Sequence, residues 1–374
     1  MSAVKSLQVT YDSINAKNAF TNGDFVSGRV TLEVAKDCQM ETLSIKFKGK
    51  AEVRWSERHG QTTVVYHSKD KYFSIKHYFV RSKEHEGRGS DILLTQENGE
   101  TYSSVVAPGC HVYPFTFQFP VRSIPSSFKG AYGKIVYMLD AKLGRSLRVD
   151  QKDSTKINFV AKPDLRGDFE IMKPKHMSME KKMKVFTSGS VAMDVNLEKA
   201  AFYQGEGLKV MTSIQNNSSR EIKAKYTVYS KHSFFAKGKR RLNTKDLLKE
   251  VGDSIAPSSK ENFTRVIPIP HDAEPSIANC RIMKVEYRLR VYLDVKYASD
   301  PEIKFPIVIL PSSQVPAVAP SAFGSDFGAF GSTNTQAWDF PPPQQPPAAS
   351  NPLDPPPPYG EHSAYPLTDF GTKF

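Results

Sequence analysis

Apolar and polar residues alternate with a period of two through much of the chain. Val285, Tyr287, Leu289, Val291, Leu293 and Val295 form the longest such run, with Lys284, Glu286, Arg288, Arg290, Asp294 and Lys296 on the other face. A strand with one face buried produces this pattern. It recurs at Val30-Leu32-Val34, Leu43-Ile45-Phe47, Tyr113-Phe115-Phe117-Phe119, Ile135-Tyr137-Leu139 and Leu208-Val210-Thr212-Ile214. Gly, Pro, Asn, Asp and Ser separate the runs, and helical periodicity is hard to find. The pattern predicts an all-β sandwich architecture rather than an α/β fold.

The runs repeat in order. Ala19-Phe20-Thr21-Asn22-Gly23-Asp24 aligns with Ala201-Phe202-Tyr203-Gln204-Gly205-Glu206, each turn feeding an alternating strand. Gly133-Lys134-Ile135-Val136-Tyr137-Met138-Leu139 aligns with Met283-Lys284-Val285-Glu286-Tyr287-Arg288-Leu289. Either echo alone could arise by chance among strands; two in the same order point to a duplicated sandwich. The expected organisation is a sandwich over residues 1–162, a lysine- and methionine-rich connection over 163–184 and a second sandwich over 185–310. A tail over 311–374 follows, with fourteen prolines in its 64 residues. The tail's composition predicts disorder.

Charge changes the picture in the tail. It carries five acids, Asp326, Asp339, Asp354, Glu361 and Asp369, against one base, Lys373, so a chain of net charge +12 has a body of +16. Such a body attracts anions, and charge alone does not choose among lipid headgroups, phosphorylated peptides and nucleic acid. Only Cys38, Cys110 and Cys280 occur, without CxxC spacing, which argues against a disulfide framework or a cysteine-rich zinc site and fits a reducing cytosol. The sequons at Asn217 and Asn262 then read as turn residues. No apolar run approaches the roughly 18 residues of a membrane span, and the N-terminus has no signal core.

The chain resembles the α-arrestins, the arrestin domain-containing proteins, from about residue 7 onward. The resemblance rests on Tyr113-Pro114-Phe115-Thr116-Phe117-Gln118-Phe119-Pro120, Pro125-Ser126-Ser127-Phe128-Lys129-Gly130, Phe186-Thr187-Ser188-Gly189 and Asn279-Cys280-Arg281-Ile282-Met283-Lys284-Val285-Glu286-Tyr287. It implies two tandem arrestin-type immunoglobulin-like β-sandwich domains and a Pro-rich tail. It also implies a cytosolic trafficking adaptor, peripheral at plasma membrane and endosomes. Its sandwiches would engage receptors, transporters or the membrane, and its tail the WW domains of HECT-type ubiquitin ligases.

The tail carries the matching peptide, Pro356-Pro357-Pro358-Tyr359. WW domains read a preformed polyproline II helix in an aromatic groove, and Pro355 to Pro358 supply that conformation with little entropy left to lose. Pro356 and Pro357 would lie against the groove, Tyr359 would enter a neighbouring apolar pocket, and Pro358 fills the permissive position. A flexible stretch of forty-odd residues before the motif reaches roughly 35–40 Å. Many relatives with long tails carry two PPxY motifs; this chain has one, which lowers the avidity available from tandem WW domains.

Other signals are weaker. Lys237-Gly238-Lys239-Arg240-Arg241 reads as a contact for anionic lipid or phosphate, or as a solvated hairpin turn; with no interleaved aromatic residues the turn is favoured. Phe323-Gly324-Ser325-Asp326-Phe327 and Trp338-Asp339-Phe340 resemble peptides that engage endocytic adaptors, and Pro343-Gln344-Gln345-Pro346 reads as spacer. Without a GxSxG, phosphate-loop or HExxH motif, no catalytic residue, metal ligand or cofactor is expected. Cys110 and His111 would point to opposite faces of a strand, leaving an inert buried thiol. Nucleic-acid binding has only the pI of about 9.3 behind it. A ligase-independent sorting scaffold of the same fold is the competing function.

Overall fold

The computed structural model describes residues 3–81, 92–163, 169–182, 189–295 and 300–312. In the first half, β1 (Val4–Tyr11), β2 (Ala19–Phe20), β3 (Phe25–Val34), β4 (Cys38–Gln39), β5 (Thr42–His59) and β6 (Thr62–Arg81) come first. Then follow β7 (Ile92–Leu93), β8 (Val105–Val106), β9 (Gly109–Gln118), β10 (Phe128–Lys129), β11 (Gly133–Gly144) and β12 (Gln151–Phe159). One sheet has the order β1-β3-β9; the other runs β2-β12-β11-β5-β6-β7 with β10 on β11, and β4 pairs β8. The alternating apolar residues face inward and meet as rings: Phe47 on β5 lies 4.8 Å from Phe119, and Phe119 lies 4.7 Å from Phe159. Such edge and tilted pairs contribute about 0.5–1.5 kcal/mol each beyond area burial.

The second half contains β13 (Lys175–Lys182), β14 (Gly189–Leu197), β15 (Ala201–Tyr203), β16 (Gly207–Ser218) and β17 (Ile222–Ala236). It ends with β18 (Lys239–Ile255), β19 (Ser259–Pro268), β20 (Met283–Asp294) and β21 (Glu302–Leu310). Its sheets run β13-β14-β16-β19 and β15-β21-β20-β17-β18. Across this sandwich Thr212 and Tyr226 share a buried hydrogen bond of 2.9 Å.

Both sequence echoes are one structure built twice. In the first, Gly23 and Gly205 each adopt φ 84°, a left-handed conformation that glycine enters without steric cost. The acid of each turn accepts from its own turn: Thr21 N to Asp24 Oδ2 at 2.8 Å, Tyr203 N to Glu206 Oε2 at 2.7 Å. In the second, Tyr137 and Tyr287 are buried, and each hydroxyl donates to a carbonyl in the preceding segment, Pro125 O at 2.5 Å and Glu274 O at 2.6 Å. Burial raises both phenol pKa values, so each hydroxyl stays a donor. Ser127 Oγ accepts from Phe159 N, and Ser276 Oγ accepts from Ile309 N, fastening the same segment to the last strand of each half.

Three expectations are corrected. Part of the 163–184 connection is β13, paired with β14 from Lys175↔Leu197 to Lys182↔Ser190. It is an edge strand whose apolar positions are Met177 and Met179, the latter packed against the core, and two residues are too short an alternation to mark it. Cys110 is exposed, because the inward parity of β9 falls on Tyr113, Phe115 and Phe117. Asn217 and Asn262 lie in β16 and β19 rather than in turns.

Candidate functional site at the domain junction and the sheet faces

The Pro356–Tyr359 peptide, both acidic-aromatic pairs and the PxxP stretch lie outside the described residues. Ser312, the last residue described before them, is tied to the body: its N–H donates to Gln204 Oε1 at 2.8 Å, and Lys17 Nζ reaches its Oγ at 3.5 Å. A cleft of about 670 Å³ opens beside it, lined from the first half by Asn15, Phe20, Asn158 and Lys162 and from the second by Gln204 and His271.

The basic run turns β17 into β18. Ala236 pairs with Lys239, and Lys237 (φ 49°) with Gly238 (φ 72°) form the two-residue turn, both left-handed as a type I′ hairpin requires. Its cations are divided. Lys237 Nζ donates to Val65 O in the first half at 2.9 Å. Arg241 Nη1 contacts Glu57 Oε1 at 3.4 Å, and its guanidinium lies 5.3 Å from the Tyr132 ring centroid. Arg240 folds back, with Nε and Nη2 on Ser233 Oγ at 3.1 and 2.8 Å. Lys239 is exposed. Half of the run therefore clasps the neighbouring sandwich.

Two of the segments that carry the family resemblance build the rest of this junction. Arg281 grips Asp70, which is 5% exposed, through Nε at 3.2 Å and Nη2 at 2.5 Å. This is the forked geometry that suits a carboxylate. Tyr72 donates its hydroxyl to Cys280 Sγ at 3.2 Å, and Asn279 donates to Ser123 Oγ at 3.0 Å. Phe234 meets Tyr132 edge to face at 5.6 Å. A Cβ at Gly130 would come within 2.9 Å of the Phe234 ring, so glycine is what lets the loop approach. His232 lies edge-on to Phe128, with Nε2 3.7 Å from Glu274 Oε2. Burial holds its pKa below the usual imidazole value, with Lys245 pushing the same way.

No sequence motif marks the outward face of the first half's main sheet, yet it concentrates charge. Register places Lys46 opposite Lys76, Lys50 opposite Lys71 and Lys142 opposite Lys152 on that face. Lys48, Lys69, Lys134 and Lys156 share it, against the carboxylates Glu52 and Asp140. Glu52 serves three bases, Lys50 at 3.2 Å, His67 at 3.1 Å and Lys69 at 3.7 Å. Burial works to raise its pKa, but the hydrogen bonds from His67 and Lys50 outweigh that and bring it to about 2. Like charges directly opposite one another repel, so this face is set up to receive an anion. The lysine alternation at 46, 48 and 50 was visible in the sequence; which strands lie beside it was not.

Comparison with known proteins agrees with this architecture. Residues 7–166 match the N-terminal domain of arrestin (or S-antigen) and residues 187–314 its C-terminal domain. Arrestin domain-containing protein 4 of Mus musculus is 27% identical over 315 residues, covering 82% of this chain and 72% of that protein. The Homo sapiens protein of the same name is 28% identical over 315 residues, covering 82% and 71%. Thioredoxin-interacting protein of Homo sapiens is 24% identical over 312 residues, covering 82% and 74%. The chain belongs to the arrestin domain-containing proteins, the α-arrestins, a family of generally non-enzymatic adaptors.

Proposed function

We propose that this chain links membrane receptors or transporters to WW-domain HECT-type ubiquitin ligases, promoting ubiquitination, endocytosis and endosomal sorting of the cargo. The observation that carries the reading is the Pro356-Pro357-Pro358-Tyr359 peptide in a Pro-rich tail behind a two-domain arrestin body. The body supplies the anion-attracting sheet face for acidic cargo segments or membrane; the tail supplies the ligase. The work takes place in the cytoplasm, at the plasma membrane and endosomes, and requires no cofactor.

Pull-down with a tandem WW-domain fragment tests it. Tyr359→Ala should abolish capture without changing thermal stability, and phosphorylation of Tyr359 should block it, since a dianion would have to enter an apolar pocket. Undiminished capture by Tyr359→Ala removes the recruitment reading. The basic sheet face also supports a second reading, a ligase-independent sorting scaffold, because that face belongs to the body. Full cargo sorting by a chain lacking residues 313–374 would favour it.

A further inference from the structure

The two most exposed large apolar side chains among the described residues are near neighbours on one turn. Leu147 is 102% exposed and Val149 is 90% exposed. They stand on the connection from β11 to β12, where Arg148 N donates to Arg145 O at 3.3 Å and Leu147 takes φ 54°. That is a turn position which glycine or asparagine fills at least steric cost. A leucine there gains no packing and strains its own backbone, so folding does not account for it.

The surroundings are cationic. Arg145 and Arg148 flank Leu147 in sequence, Lys142 and Lys152 lie opposite one another on the strands that enter and leave the turn, and Lys36 is exposed on the connection after β3. Asp37 and Glu41 share a recess at the base of the turn with Arg145 and Arg148, and Asp150 pairs with Lys142 at 2.7 Å. The balance stays positive. Two apolar side chains projecting from a turn are too small an area for a stable protein interface, which takes roughly 800 Å² from each partner. They suit partition into the headgroup and acyl boundary of a bilayer, with arginines at headgroup level.

We propose that the β11–β12 turn is a membrane-contact element that inserts Leu147 and Val149 into an anionic lipid surface while Arg145 and Arg148 engage the headgroups. The inference deepens the reading that the body meets a membrane and is independent of ligase recruitment. It assigns lipid contact to this turn rather than to the 237–241 hairpin, whose Lys237 and Arg241 are occupied at the domain junction.

The test is co-sedimentation of the full chain with phosphatidylcholine vesicles with and without phosphatidylserine. Wild type should bind the anionic vesicles and not the neutral ones. Leu147→Gly combined with Val149→Ser should weaken binding on the order of tenfold or more. Thermal stability should be unchanged or raised, since glycine suits the left-handed turn. Arg145→Gln with Arg148→Gln should weaken binding on the order of tenfold and flatten its salt dependence. In a Trp338→Phe background, Leu147→Trp should be quenched by acyl-chain-brominated lipid. Unchanged affinity in the glycine–serine variant, absence of quenching, or equal binding to neutral vesicles overturns the proposal. Loss of binding only on neutralising Lys237, Lys239, Arg240 and Arg241 overturns it in favour of the hairpin. WW-domain pull-down on the same variants reads the recruitment hypothesis separately.

Discussion

The main sheets of the two halves follow one strand plan and carry different charge on their outward faces. On β20 the outward row is Lys284, Glu286, Arg288, Arg290, Tyr292 and Asp294, and carboxylates close on several of the bases. Lys225 pairs with Asp294 at 2.6 Å, Lys231 with Glu286 at 3.9 Å and Arg290 with Glu302 at 2.6 Å; Glu302 also takes Lys304, which lies opposite Arg290. On β5, β6, β11 and β12 Lys46, Lys50 and Lys142 face Lys76, Lys71 and Lys152, while Glu52 answers three bases and Asp140 pairs with Lys48. Duplication therefore preserved what folds the sandwich, the glycine turn and the buried tyrosine, and let the solvent faces diverge. A face whose charges are matched has little left for a partner. A face of like charges gives up some stability and keeps its attraction for anions.

The largest effect should come from cutting the contact between the halves. Phe234→Ala empties a fully buried site against Tyr132, Gly130 and Gly133. It should cost about 3–5 kcal/mol and split one denaturant transition into two; a single unshifted transition would mean that the junction does not couple the domains. Tyr137→Phe and Tyr287→Phe remove equivalent buried hydrogen bonds, so each should cost about 1–3 kcal/mol by denaturant titration. Sharply unequal losses would break the equivalence of the two halves.

Glu52→Gln probes the basic face through pH. A carboxylate held at about 2 in the folded chain, against an ordinary 4.5, contributes stability that is present above pH 4.5 and lost as pH falls towards 2. The variant should be less stable by about 1 kcal/mol at neutral pH, after allowance for solvent screening, and the two should converge in acid. The smallest change is the most direct comparison of the faces. Lys71→Glu, exposed and opposite Lys50, should stabilise by a few tenths of a kcal/mol. Lys225→Glu sits beside Asp294 and should destabilise by about as much. Equal signs in thermal melts would remove the contrast.

Much of the fold was legible because burial of one sheet face writes itself into every second residue. The strands at Val30–Val34, Leu43–Phe47, Tyr113–Phe117 and Val285–Leu293 all fall in strands of the structure. β13 is less legible because an edge strand with only Met177 and Met179 as apolar residues on its inner face has too short an apolar period. Cys110 is exposed because strand parity, set by Tyr113, Phe115 and Phe117, outweighs a thiol's tendency to be buried.

The sequence by itself determined the β class, the duplication and the tail peptide, since each depends on residues close together along the chain. It did not determine where the cations act. Lys237 and Arg241 read as part of a free basic run until folding brought Val65 and Glu57 against them, and the lysines of four strands became one face only when those strands were paired. Leu147 is the same case in reverse, an ordinary leucine in the sequence whose exposure is set by a turn with nothing packed over it. Charge and exposure are properties of neighbourhoods, and most neighbours in a sandwich are far apart along the chain.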